Sequence, residues 1–264
     1  MPPVEVFNFN PPRQVIPGFL GRFIPFRRPL NNFGDLLGPL IVNKMLALAV
    51  GRECWDGDYR VLTVGSVLHF ARNGDVVWGA GKNGKILDDL HKFSSLDVRA
   101  VRGPLTRDFL LRRGIDVPPV YGDPALLLSY LMPELRGERG GGDYLFVPNY
   151  NDLFWAEGFP NILDPRAPVL HCLTKIVESK FVVGTSLHAI IVAESFGVPA
   201  RLIRSRVEDG FKYEDYYLGS GRSEFLVAEN LQHALELGGE SPPIFDKDSL
   251  IRSFPFDVWG KIFV

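Results

Sequence analysis

The sequence is short of cysteine, nearly balanced in charge, and without a long apolar run. Only two of its 264 residues are cysteine, Cys54 and Cys172, and neither belongs to a CxxC pair. A disulfide framework and a cysteine zinc site are therefore not expected, and a reducing compartment, the cytoplasm, is. A formal net charge of −2 gives nucleic acid no electrostatic hold. No stretch approaches the roughly 18 apolar residues of a membrane span, and the apolar h-region of a secretion signal is missing. No cluster of His, Cys and carboxylates has metal-site spacing.

What is present begins with an unusual N-terminus. Residues 1–30 hold seven prolines, with Arg13, Arg22, Arg27 and Arg28 among apolar residues. After a strand at Val4–Phe9, the expectation is an irregular segment packed on its own domain. A basic, aromatic surface facing a membrane or an anionic acceptor is the alternative.

Beyond it, strand and helix patterns alternate. Gly34–Val50 reads as a helix, and Tyr59–Val64, Asp75–Trp78 and Val98–Val101 as strands. Pro104–Arg113 is a helix with proline at its first position and Gly114 at its C-cap. Val117–Tyr121 reads as a strand and Pro124–Leu131 as a short helix. The glycine-rich charged stretch 133–143 is the best domain boundary. Then follow a strand at Tyr144–Val147, a helix at Val169–Glu178, a loop at Leu218–Arg222 and a helix at Glu224–Leu237. Such alternation implies parallel sheets covered by helices. The reading is α/β, with two Rossmann-like domains, 1–136 and 143–264, facing across a cleft. Ligands in such folds sit at the carboxyl ends of the strands.

Residues 181–203 carry the sharpest signal. Phe181–Val183 is a strand, Gly184-Thr185-Ser186 a turn, Ala189–Phe196 a helix closed by Gly197, and Ala200–Ile203 the next strand. The turn offers backbone N–H groups and the Thr185 and Ser186 hydroxyls at a positive helix end, a site for an anion such as phosphate. His188, in the first helical turn, reads as a proton donor beside that anion or as a hydrogen-bonded structural histidine.

Other candidates fall at strand ends. Arg102 is placed to clamp a carboxylate or phosphate, while Arg107 reads as a surface ion-pair residue. Asp35 either caps the first helix or faces the cleft, and Asp123 before Pro124 reads as a cap. Arg204 and Arg206 follow a strand and are expected in the cleft. Phe211–Tyr217 clusters aromatics, suited to sugar faces or to packing, around Lys212. Two patterns are decoys. Gly79-Ala-Gly-Lys-Asn-Gly84 is a literal GxGxxG, but it comes too late in the chain and lacks an acid at the ribose spacing. Asp56-Gly-Asp58 imitates the metal-binding DxD of some sugar transferases.

In order, Asn32-Phe-Gly-Asp35, Gly65-Ser-Val-Leu68, Val77–Gly81, Val101–Arg107, Tyr121-Gly-Asp-Pro124, Ser186-Leu-His188 and Gly197-Val-Pro199 resemble the polysaccharide pyruvyl transferase family. The likeness is to its bacterial exopolysaccharide branch and runs over about residues 31–220. It implies a compact GT-B-like architecture, with an acceptor-side first domain and a donor-side second one. It implies transfer of the enolpyruvyl unit of phosphoenolpyruvate to two hydroxyls of one sugar, forming a cyclic ketal and releasing phosphate. No further cofactor is called for. His188 matches the family's catalytic histidine, Arg102 a donor-binding arginine, and Asp35 the acidic cleft position. A lipid-linked sugar acceptor would put the chain at the inner face of the plasma membrane. One departure stands out: many relatives have arginine two residues before the histidine, where this chain has Ser186. Arg204, Arg206 or Lys212 is then expected to supply the missing charge. The competing readings are a nucleotide-sugar-dependent glycosyltransferase and a non-catalytic glycan-binding protein of the same fold.

Overall fold

The computed structural model describes residues 4–14, 26–48, 59–137, 140, 142–156 and 158–259. Cys54 and the Asp56–Asp58 decoy lie outside them. Strand β1 (Glu5–Phe7) is followed by a two-stranded antiparallel ribbon of β2 (Pro12–Gln14) and β3 (Arg27–Pro29), then by helix α1 (Phe33–Leu48). Strands β4 (Arg60–Leu62), β5 (Val76–Trp78) and β6 (Asp97–Ala100) complete a four-stranded parallel sheet in the order β1-β4-β5-β6. β4 and β5 are buried at every position, as expected of strands covered on both faces.

Helices α2 (Pro104–Arg112) and α3 (Leu128–Leu131) lead to β7 (Leu145–Phe146), α4 (Leu153–Ala156) and α5 (Val169–Val177). Strand β8 (Val182–Gly184), helix α6 (Leu187–Ser195) and β9 (Ala200–Leu202) follow, and β7-β8-β9 form a second parallel sheet. Three helices close the described chain: α7 (Phe211–Gly219), α8 (Leu231–Leu237) and α9 (Lys247–Arg252).

The largest apolar core draws on both halves. Phe33, Leu37, Ile41 and Met45 of α1 pack with Leu173 and Ile176 of α5 and with Ile190 and Ile191 of α6. The chain's end returns to the first sheet. Trp78 donates its indole N–H to the Leu250 carbonyl (3.0 Å) and meets Phe254 edge-on, and Arg99 pairs with Asp257 (2.8 Å). Behind α6, buried Glu194 accepts from Arg222 (2.7 Å) and from the Tyr216 hydroxyl, which ties α6 to α7. This network fixes the helix that carries His188.

Several expectations change here. Val117–Tyr121 makes only an isolated bridge, Tyr121 to Val101. The helix expected at Glu224–Leu237 starts only at Leu231, where Asn230 caps it by accepting from His233 N. Before the cap, the chain runs extended along β9, with Ala228 N donating to the Leu202 carbonyl (2.9 Å). Phe211–Gly219, read as an aromatic cluster, is helix α7. Its Tyr213, Tyr216 and Tyr217 are buried, so these rings are core rather than a sugar platform. Cys172 is free and buried, and burial pushes its thiol up to about 12. Among the described residues no helix is long and apolar enough to cross a membrane.

Candidate active site

The carboxyl ends of both sheets open on one cavity of about 230 Å³. Asp35, Arg102, His188 and Lys212 all line it, as do Lys85, Asn83 and Glu208. Each is held by a short-range cause. Asn32 precedes α1 and donates its amide to Asp35 (2.8 Å), so Asp35 does not spend its carboxylate on capping. Burial pushes the Asp35 carboxyl up to about 6, against the pull of Asn32 and Lys212. Pro39, inside α1, removes the N–H that would bond the Asp35 carbonyl.

His188 sits in the first turn of α6, with its ring over the backbone of Gly34. A Cβ at residue 34 would overlap Nδ1 of that ring, so the N-terminal turns of α1 and α6 meet here only because residue 34 is glycine. Burial, then Lys212 and Arg102, lower the imidazole to about 3. With no anion beside it His188 is therefore neutral at physiological pH. Gly34→Ala is expected to displace the ring and cut turnover by about tenfold or more while the fold persists, because misplacement by about 1 Å costs reactivity steeply. Activity set beside thermal stability checks this.

The cationic side of the cavity is built around Glu208. Its carboxylate accepts from Lys85 (2.7 Å), Lys212 (2.9 Å) and Asn151 (2.9 Å). Burial would raise this carboxyl, but Lys212, Lys85 and Asn151 hold it down at about 2. Burial lowers Lys212, and Glu208 opposes that shift.

Arg102 is fully buried and pairs with equally buried Asp215 (2.9 Å). It also donates to Ser66 Oγ (2.7 Å) and the Lys82 carbonyl (3.0 Å). Asp215 accepts in addition from the Thr106 backbone and hydroxyl. Arg102 thus forms a fixed wall of the cavity, with one hydrogen of Nη1 left uncommitted. The literal GxGxxG has its explanation here: a Cβ at Gly81 would overlap the Arg102 guanidinium. The glycine makes room for arginine, and the same loop brings Asn83 and Lys85 to the cavity.

Three predicted donor ligands are not in the cavity. Thr185 is buried, and its hydroxyl accepts from Asn149 N (2.8 Å). Ser186 caps α6 by accepting from Ala189 N. The first-turn N–H groups left for an anion are those of Leu187 and His188, both lining the cavity. Arg204 is exposed, paired with Glu229 (2.9 Å), and lines a second pocket together with Arg206. Both arginines face away because the chain turns at Ser205, whose hydroxyl donates to buried Asp152 (2.6 Å). Arg107 donates to the Val117 carbonyl rather than to an acid. Asp123 caps the turn at Pro124 by accepting from Ala125 N (3.0 Å), as its sequence suggests.

Lys85, Asn83 and Glu208 carried no signal in the sequence. Asn83 lay inside the pattern set aside as a decoy, Lys85 directly follows it, and Glu208 sits in a loop without motif. Among its described residues, the N-terminal segment stacks Phe9 on Phe70 at 5.2 Å in the first half and reaches the second, where Arg13 donates to the Tyr150 hydroxyl (3.3 Å), so it is not packed on its own half alone. It also supplies Phe9 and Arg13 to the cavity wall.

The chain is similar to several known proteins. The chain is 32% identical over 168 residues to succinoglycan biosynthesis protein ExoV of Rhizobium meliloti (strain 1021), covering 58% of this chain and 51% of that one. It thus spans about half the length of that relative. It is 27% identical over 202 residues to uncharacterized protein L143 of Acanthamoeba polyphaga mimivirus, covering 70% and 69%. The crystal structure of KP1_0663 from Klebsiella pneumoniae subsp. pneumoniae NTUH-K2044 superposes with a TM-score of 0.43 at 13% identity, covering 70% of this chain and 83% of that one. The family profile for polysaccharide pyruvyl transferase matches residues 5–206. The match thus takes in the N-terminal strand that the sequence motifs alone left outside. With a match over well more than half its length, the chain belongs to the polysaccharide pyruvyl transferase family.

Proposed function

We propose that the protein transfers a pyruvyl group from phosphoenolpyruvate to two hydroxyls of one sugar in a cell-surface polysaccharide precursor, forming a cyclic ketal. The observation that carries this reading is one cavity holding His188 and Asp35 beside Lys85, Arg102 and Lys212. Phosphoenolpyruvate brings about three negative charges, which require cations and free N–H groups around them. In this reading residues 1–136 form the acceptor side and 143–264 the donor side of a GT-B-like pair. Membership of the family and likeness to a succinoglycan biosynthesis protein support it. The acceptor is a sugar, and a lipid-linked one would bring the protein to the inner face of the plasma membrane.

The donor phosphate binds against Lys85, Lys212 and the first turn of α6. A dianion there offsets the cations that keep His188 neutral, so the imidazole takes up a proton as the donor binds. It then delivers this proton to the donor methylene carbon, and a cation-like centre develops at the adjacent carbon. A sugar hydroxyl attacks that centre and loses its proton to Asp35. The second hydroxyl closes the ketal and passes its proton to His188, now neutral, as phosphate leaves with the bridging C–O electron pair. Asp35, raised to about 6, is basic enough to accept a proton and acidic enough to return it to the leaving phosphate.

Proton uptake follows from the low value of the free imidazole. At about pH 7.5 the donor is almost fully ionised and His188 starts neutral, so binding should consume a fraction of a proton that grows as pH falls. Affinity should accordingly rise as pH falls. Titration calorimetry in buffers of different ionisation enthalpy measures this; His188→Ala should remove most of the uptake, and zero uptake in the parent protein would rule the imidazolium out. The function itself is tested by incubating protein, phosphoenolpyruvate and candidate acceptor sugars. Phosphate release matched by a ketal on the sugar is expected, whereas transfer from a nucleotide sugar instead would replace this reading with glycosyl transfer.

A further inference from the structure

A second cavity, of about 370 Å³, opens at the carboxyl edge of the second sheet. Its floor carries two half-buried rings, Trp155 and Phe159, edge-on at 5.7 Å, with fully buried Phe146 stacked behind Phe159 at 4.5 Å. Its rim is polar, formed by Arg204, Arg206, Glu229 and Asn230. Arg206 lies over the Trp155 ring at 4.6 Å, and among the described residues no carboxylate pairs with it. Asn230 spends its carbonyl oxygen on capping α8.

Fully buried Asp152 sets this geometry. It accepts at once from Trp155 Nε1 (2.8 Å), Ser205 Oγ (2.6 Å) and Arg206 N (3.2 Å). The same two segments border the first cavity. Tyr150 and Asn151 line it just before Asp152, and Glu208 lines it just after Arg206. The 205–208 segment thus lines both cavities, with Ser205 and Arg206 in the second and Glu208 in the first, and Asp152 ties it to the 150–151 edge of the first.

We infer that the second cavity is a subsite for a further pyranose unit of the acceptor glycan, next to the sugar that receives the pyruvyl group. This rests on the pyruvyl-transfer reading above. An aromatic floor matches the apolar face of a pyranose, and a rim that offers both donors and a carboxylate matches its hydroxyls. A nucleoside diphosphate fits worse. Arg204 is already neutralised by Glu229, and a diphosphate would meet that carboxylate. The protein would then prefer an oligosaccharide to a monosaccharide as acceptor.

Binding is measured by Trp fluorescence and calorimetry with glucose and with cellotetraose, laminaritetraose and maltotetraose. At least one tetrasaccharide should bind about tenfold or more tighter than glucose, through the added stacking and hydrogen bonds. Arg206→Ala and Trp155→Phe should each reduce that preference severalfold, while stabilisation by phosphoenolpyruvate stays unchanged. Arg206→Ala leaves the aromatic floor intact and so separates ligand loss from misfolding. No preference for any tetrasaccharide, or a preference untouched by both variants, overturns the subsite. Protection by a nucleoside diphosphate that is lost in Arg206→Ala also overturns it. If phosphoenolpyruvate fails to bind while the tetrasaccharide preference and its loss persist, the transfer reading falls and the glycan site stands.

Discussion

His188→Ala is expected to lower turnover by about two to four orders of magnitude, the range set by removing a positioned acid–base group. The fold should survive, because the ring contributes no described hydrogen bond and α6 is anchored elsewhere, through Glu194 and Arg222. Phosphate release with phosphoenolpyruvate and acceptor, set beside an unchanged thermal transition, checks both halves of the statement. The effect should fall on turnover more than on donor affinity. Lys85, Lys212 and the N–H groups of Leu187 and residue 188 all remain to hold the phosphate. Turnover within about threefold of the parent would remove His188 from proton transfer and leave it a structural residue at the α1–α6 contact.

Arg102→Ala is expected to destabilise the protein by about 3–5 kcal/mol, as for a buried ion pair broken from one side. Asp215 would be left fully buried with only Thr106 to satisfy it. Ser66 and the Lys82 carbonyl would lose their donor as well. The double variant Arg102→Met, Asp215→Asn removes both charges and should recover a large part of the loss, because neither charge is then stranded. Denaturant unfolding measures all three proteins. A loss below about 1 kcal/mol for Arg102→Ala would mean that the pair behaves like an exposed one. Arg102→Ala is accordingly a poor test of donor binding, since any lost affinity would be confounded with lost stability. Lys212→Gln is cleaner, because Glu208 keeps Lys85 and Asn151 as partners.

The strands that bury every residue were legible from sequence, and so were the helices with local stop signals. Proline opens α2, Gly197 follows α6, and β4, β5, β8 and β9 each bury every residue. What failed depended on tertiary context. Residues 224–230 have helical composition, yet the hydrogen bonds of Ala228 to β9 outweigh that propensity until Asn230 can cap. Helix α7 was hidden because its tyrosines suggested a surface, whereas Tyr216 spends its hydroxyl on buried Glu194. Asp35 and His188, each in the first turn of a helix that begins at once, line the cavity that their place in the sequence suggested. Arg204 failed because strand alternation does not foresee the turn at Ser205. Lys85 and Glu208, 123 positions apart in sequence, meet only through the fold, so no local pattern could have paired them.

Binding of phosphoenolpyruvate, followed by thermal shift with Lys212→Gln as control, tests the central claim most directly and needs no knowledge of the acceptor. A ligand at 100 times its dissociation constant adds about 2.7 kcal/mol to the folded state. The expected result is stabilisation of the parent protein by phosphoenolpyruvate and not by nucleotide sugars or NAD, with most of it lost in Lys212→Gln. Stabilisation by a nucleotide sugar alone, or no response to phosphoenolpyruvate with or without an acceptor glycan present, would contradict the account.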